Sequence, residues 1–204
     1  MLIGDGVRLA KTSVGPMDNN AYLLTHDDDA LLIDAAAEPD VLLRQLERVH
    51  VVGVVTTHRH HDHIGALAQV VAATGAPAYA GTPDAGAITL ATGVTCREVW
   101  TGDTIEVGPV RLEVIGLVGH TPGSITLALT PADGPVRLFT GDSLFPGGLG
   151  KTWKPADFDT LLVDVTTKLF DRFGDNTIVH PGHGDDTTLG AERPHLDEWR
   201  TRGW

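Results

Sequence analysis

The chain has one cysteine, Cys96, among its 204 residues, which excludes an internal disulfide and fits a reducing compartment. No apolar run approaches the roughly 20 residues that a membrane helix requires. The first residues, Met1-Leu2-Ile3-Gly4-Asp5-Gly6, carry neither the basic segment nor the apolar core of a secretory signal. A cytoplasmic protein with no membrane partner is the expectation. Basic residues are also scarce: 15 Lys and Arg against 27 Asp and Glu leave a net charge of −12. Phosphate binding relies on clustered Lys and Arg, so nucleic acid is not an expected partner. Internal repeats, low-complexity tracts and Ser/Pro-rich linkers are absent.

What remains is ordinary globular composition, 42% hydrophobic and 21% charged, in a length that suits a single domain over residues 1–204. Asn20–Leu24 and Ala30–Ile33 are short apolar runs around the polar turn His26-Asp27-Asp28-Asp29, which predicts a hairpin. A helix is expected from Pro39 to Val49, with Leu42, Leu46 and Val49 on one stripe. Val51–Thr57 reads as a buried strand, and Ile64–Ala73 as a helix that stops at Gly75. Thr104–Val107 with Val110–Ile115, and Ser124–Leu129 with Val136–Thr140, read as further strand pairs. Phe158–Phe173 predicts a long helix, Thr177–Val179 a short strand and Leu189–Arg200 a closing helix. This order suggests sheets in the middle with helices outside.

The unusual feature is His58-Arg59-His60-His61-Asp62-His63, which places four of ten histidines in six positions. Side chains two apart in an extended segment point to the same side, so His58 and His60 can grip one ion. Asp62 and His63 follow where the chain must bend and can face a second ion beside it. Imidazoles and carboxylates are the usual ligands of zinc and similar divalent metals. Three later segments repeat one device, a candidate ligand among small or rigid residues: Gly119-His120-Thr121-Pro122-Gly123, Thr140-Gly141-Asp142-Ser143 and Pro181-Gly182-His183-Gly184. Glycines beside a ligand let the backbone approach a crowded centre without a Cβ clash. Each segment alone is weak; together they point to a metal-binding centre. Cys96 lies in none of these motifs, and Ser143 lacks a G-x-S-x-G context, so a protein nucleophile is not expected.

The order H-x-H-x-D-H, G-H-T-P-G, T-G-D, P-G-H-G resembles the metallo-β-lactamase superfamily, and within it the short, single-domain glyoxalase II-like (hydroxyacylglutathione hydrolase-like) branch. The resemblance covers residues 15 to 190 and implies an α/β (α+β) fold, a four-layer αββα sandwich with a dinuclear site along one edge. It implies that His58, His60 and His120 hold one metal, that Asp62, His63 and His183 hold another, and that Asp142 bridges them. His61 and His180 are left as non-ligands, and His26, His50 and His195 as surface residues. Asp34, which ends Leu31-Leu32-Ile33, matches a position that braces the metal loop.

The implied cofactors are two divalent ions, zinc first, with iron or manganese accepted by the same oxygen and nitrogen donors. Such a pair lowers the pKa of a bridging water, and Asp62 is the expected catalytic residue, orienting the hydroxide and accepting its proton. The implied partner is a small-molecule thioester, whose thiolate leaves with little need of an acid. Only 20 residues follow Gly184, fewer than the helical domain that completes glutathione binding in full-length glyoxalase II. Lys151, Trp153 and Lys154, just after the bridging aspartate, are the substrate-binding candidates. The alternatives on this scaffold are a persulfide dioxygenase with one iron on His58, His120 and Asp142, and a lactonase or phosphodiesterase.

Overall fold

The computed structural model describes residues 1–203. Its first sheet comprises β1 (Leu2–Gly4), β2 (Val7–Val14), β3 (Asn19–His26), β4 (Asp29–Ile33), β5 (His50–Thr56), β6 (Ala78–Gly81) and β7 (Cys96–Val99), ordered as in the sequence. The second runs β15 (Thr187–Thr188), β14 (Ile178–Pro181), β11 (Arg137–Gly141), β10 (Ser124–Leu129), β9 (Val110–Leu117), β8 (Thr104–Val107). A small ribbon pairs β12 (Leu144–Phe145) with β13 (Gly148–Leu149). The helices are α1 (Pro39–Leu46), α2 (His61–Ile64), α3 (Leu67–Thr74), α4 (Thr82–Thr92), α5 (Pro155–Val165), α6 (Leu189–Glu192) and α7 (Leu196–Arg202). Among the described residues no helix is long and apolar enough to cross a membrane.

Period-2 alternation builds the layers. In β3 and β4, Tyr22, Leu24, Leu31 and Ile33 face the second sheet, packing with Leu112, Val114, Leu127 and Phe139. Their neighbours Ala21, Leu23, Ala30 and Leu32 turn outward onto Leu42 and Leu46 of α1 and Leu67 and Val70 of α3. In the second sheet, Ile115, Leu117, Ala128 and Leu138 face Phe158, Leu161 and Val165 of α5 and Trp199 of α7. Three apolar clusters between four layers make an αββα sandwich, the metallo-β-lactamase-type fold that the motifs implied. Buried on both faces, these strands read as continuous apolar runs.

The predicted hairpin forms with a tighter turn, because β3 continues to His26 and β4 starts at Asp29. The helix from Pro39 ends at Leu46. The stretch expected as one helix from Ile64 is two, α2 and α3, and the break lets Gly65 press on the Ala36 carbonyl, where a Cβ would lie 2.6 Å from the oxygen. Gly75 caps α3 as expected, at φ 68° with its N–H on the Val71 carbonyl. The helix expected from Phe158 starts at Pro155 and continues past Val165 as a π-helical turn over Thr166–Phe170. The closing helix is α6, a 3-10 turn over Arg193–His195, and α7. Sequence reading did not assign β1, β2, β6, α4, β7, β15 or the β12–β13 ribbon.

Candidate metal centre

The candidate ligands leave the sandwich where strands end. Thr57 and His58 follow β5, His120 lies in the β9–β10 connection, Asp142 follows β11 and His183 follows β14. His60 ends the loop after β5 in an extended conformation and caps α2, whose first turn carries Asp62 and His63. Leaving the strand gives His58 and His60 the convergence expected of them: His58 Nε2 lies 3.1 Å from His60 Nδ1 and 3.2 Å from His120 Nε2. His63 Nε2 lies 3.2 Å from His183 Nε2, and Asp62 Oδ2 is 3.3 Å from His183 Nε2. Asp142 stands between the sets, with Oδ1 3.3 Å from His63 Nε2 and Oδ2 3.6 Å from His120 Nε2. Among the described residues three groups could each hold an ion: His58, His60 and His120; Asp62, His63 and His183; and His58, His63 and Asp142. The last draws on both triads.

The donor chemistry fits cations. His120 donates its Nδ1–H to the Lys151 carbonyl at 2.7 Å, and His183 donates its own to the Met17 carbonyl at 2.7 Å. His63 Nδ1 donates to Asp34 Oδ2 at 2.8 Å. Thr57 Oγ1 donates to Asp34 Oδ2 at 2.7 Å, which leaves its oxygen to accept from His58 Nδ1 at 3.1 Å. With Nδ1 donating outward, each of these four rings turns Nε2 to the centre, where a proton or a cation can sit. Nε2 atoms face one another at 3.2 Å across His58–His120 and His63–His183, and among the described residues buried Asp142 Oδ1 has no hydrogen-bond partner. Only a proton or a cation between such acceptors removes their repulsion.

Electrostatics divide the two triads. Burial, reinforced by neighbouring histidines, lowers the basicity of His58, His60 and His120. Burial also opposes charge on His63 and His183, but carboxylates overcome it. Asp34 and Asp142 raise His63 to about 10; Asp142 and Asp62 raise His183 to about 10. Burial likewise opposes ionisation of Asp62 and Asp142, yet the His183 ring beside both, with the Asn19 amide on Asp62 and the His63 ring beside Asp142, holds them well below the usual carboxylate range.

Asp34, expected to brace the metal loop, makes hydrogen bonds to Thr57 and His63. At φ 58° it accepts the Thr57 amide on Oδ1 at 2.7 Å while its other oxygen takes the Thr57 hydroxyl and His63. His61 is exposed and joins none of the three groups. His180 is buried between Asp186 at 2.9 Å and Arg137 at 3.1 Å, stacked on Phe139. His50 and His195 are exposed, whereas His26 is half-buried against Gly6 and Gly108. Lys151 lies beside the centre through its carbonyl, with its ammonium 4.6 Å from the Trp153 ring centre. Trp153 and Lys154 line a cleft of about 350 Å³ with Pro155, Phe158 and Arg200.

Residues outside the motifs also serve the centre. Asn19 donates to Asp62 Oδ2 at 2.9 Å; Asn20 Nδ2 donates to the Pro181 and Gly184 carbonyls at 3.0 and 2.9 Å, and the Tyr22 hydroxyl to Pro181 at 2.6 Å. Their signal was two asparagines opening a buried apolar strand. Buried Asp84 touches both loops of the first triad; in the sequence it is an ordinary helix-start aspartate after Gly81-Thr82-Pro83.

The Lactamase_B family model, described as the metallo-beta-lactamase superfamily, matches residues 14–183. The chain belongs to the metallo-β-lactamase superfamily. Within it, the chain is 38% identical over 157 residues to a hydroxyacylglutathione hydrolase of Polaromonas sp., covering 76% of this chain but 57% of that one. It is 29% identical over 206 residues to the hydroxyacylglutathione hydrolase GloC of Haemophilus influenzae, covering 88% of this chain and 92% of that one. The crystal structure of TTHA1623 in a di-iron-bound form aligns with TM-score 0.74 at 32% identity, over 90% of this chain and 96% of that one.

Proposed function

We propose that the chain is a dinuclear metallohydrolase that cleaves a small acyl-thiol thioester, such as an S-lactoyl or S-formyl adduct. The observation that carries the reading is the pair of triads whose donor atoms converge on one centre, with Asp142 between them. Hydroxyacylglutathione hydrolases among its relatives support the thioester class, one of them of nearly the same length. His58, His60 and His120 would hold one ion and Asp62, His63 and His183 the other, with Asp142 shared between the two sets. Two divalent ions bound there would supply a hydroxide nucleophile at neutral pH and stabilise the developing oxyanion. Zinc suits this donor set, and iron is the alternative that the di-iron neighbour supports.

The protein's part is orientation. Asn19 and His183 keep the Asp62 carboxylate ionised and aimed, which suits it to orient the nucleophile; it is a weak proton store. The Lys151 carbonyl fixes His120, so the loop that orders a ligand also carries the substrate-facing candidates Lys151, Trp153 and Lys154. A thiolate leaves without a protein acid because free thiols titrate near pH ~8.5. Cys96 takes no part: it starts β7 among apolar side chains, and burial raises its thiol.

The test is metal analysis of protein purified without added metal, with S-lactoylglutathione hydrolysis assayed on the same sample. About two ions per chain with thioester turnover is expected. One iron per chain, no hydrolysis and persulfide-dependent oxygen uptake would replace this reading with the dioxygenase on His58, His120 and Asp142. Replacing Asp142 with Ala is expected to abolish both ion uptake and turnover, and full turnover in that variant would sink the dinuclear assignment.

A further inference from the structure

The first triad takes His58 and His60 from the loop after β5, in one sheet, and His120 from the β9–β10 connection, in the other. Nothing covalent and local sets the distance between these loops. Asp84, in the first turn of α4, lies between them with no exposure. Its Oδ2 accepts the Arg59 amide at 3.1 Å and the Thr121 hydroxyl at 2.6 Å, and Oδ1 accepts the Gly123 amide at 3.0 Å. The Arg59 guanidinium stands 3.7 Å from Oδ1. One carboxylate thus takes a donor between His58 and His60 and two donors within three residues of His120. Two glycines permit the approach: a Cβ at Gly123 would lie 2.8 Å from Asp84 Cβ and Cγ, and a Cβ at Gly81 would overlap the Gly123 carbonyl.

We propose that Asp84 is a positioning residue that sets the separation of the His58/His60 loop from His120, and so governs ion affinity at the first triad but not the second. The inference rests on the dinuclear reading. Asp62, His63 and His183 take their orientation from Asn19, Asp34 and the Met17 carbonyl, and none of these contacts Asp84. An amide in its place preserves shape but turns one acceptor into a donor facing N–H or O–H groups, which pushes the two loops apart.

The experiment is a zinc titration of metal-free protein against a chromophoric chelator, with native mass spectrometry for stoichiometry. The proteins are wild type, Asp84→Asn, Thr121→Val, His183→Ala and the Asp84→Asn/His183→Ala pair. Asp84→Asn is expected to bind one of the two ions about 10–100-fold more weakly and the other as wild type does. His183→Ala is expected to keep a single tight ion, and the double variant none. Thr121→Val, which removes one donor and leaves the carboxylate, is expected to weaken the same ion by less, and it carries the test if Asp84→Asn does not fold. Wild-type affinity at both sites in Asp84→Asn overturns the proposal. So does an equal loss at both sites, because that is what a purely structural role would produce. A wild type that takes up no pair of ions overturns the dinuclear reading itself, which separates the two failures.

Discussion

At the residue scale the centre is a problem of tautomers. The hydrogen bonds of His58, His63, His120 and His183 at Nδ1 turn Nε2 inward, so the outer partners decide which atom would meet an ion. Asp34 does this for two rings at once. Replacing Asp34 with Ala strands the Thr57 amide, the Thr57 hydroxyl and His63 Nδ1 in a buried setting. The expected result is a loss of about 2–4 kcal/mol in stability by denaturant unfolding, with ion affinity down about 10–100-fold. Unchanged affinity in a folded Asp34→Ala protein would refute the bracing role.

The same geometry predicts proton release. At neutral pH the carboxylates keep protons on His63 and His183, each raised to about 10, and an incoming ion must displace them. In the metal-free protein the stability from this pairing is fully present below the unfolded histidine value near ~6.5 and is lost as pH rises through about 10. Ion affinity runs the opposite way, rising with pH up to that value. His58, His60 and His120, lowered by burial, have no such protons to give. Calorimetry in buffers of different ionisation enthalpy is expected to show proton release on metal uptake, with the second triad the more pH-dependent site. Equal pH dependence at both triads would contradict this division.

At the scale of elements, the ligands converge because strands stop and backbones touch. The break between α2 and α3 confines Asp62 and His63 to one short turn, and the Gly65–Ala36 contact holds it against the end of the first sheet. Gly182 shows the same economy: a Cβ there would overlap Asp142 Oδ1 and lie 2.7 Å from His63 Cε1. Substituting Ala for Gly182 is expected to displace the Asp142 carboxylate and lower bound metal to one ion or none, read by elemental analysis of folded protein. Two ions at wild-type affinity would show that the contact yields cheaply.

At the scale of the molecule, the sandwich is closed at the site by contacts that cross between sheets. Asn20 and Tyr22 of β3 hold the Pro181–Gly184 segment, and the Ile125 amide reaches the Thr57 carbonyl at 2.9 Å. Ions bound by ligands from both sheets would add to this closure. An ion in thousandfold excess over its dissociation constant stabilises the folded state by about 4 kcal/mol. Thermal unfolding with and without a chelator is therefore expected to show a lower midpoint for the stripped protein. An identical midpoint would mean that the ions do not bridge the two sheets.

By itself the sequence determined the donor set, because residue type and spacing within short motifs survive any arrangement of the chain. It also determined the strands that carry those motifs, since Ala30–Ile33, Val51–Thr57 and Ser124–Leu129 are apolar runs long enough to read. Helix breaks and polar supports were not legible. The split after Ile64 answers to the Ala36 carbonyl 29 residues earlier, and Asp84 and Asn19 look like a helix start and a turn until their partners are known. Only the tertiary structure decided which lone pairs face one another and which carboxylates raise or lower each ring. Those are through-space electrostatic effects between groups as far apart in the chain as Asp34 and His63 or Asp62 and His183, and distance in space rather than order in sequence sets their strength.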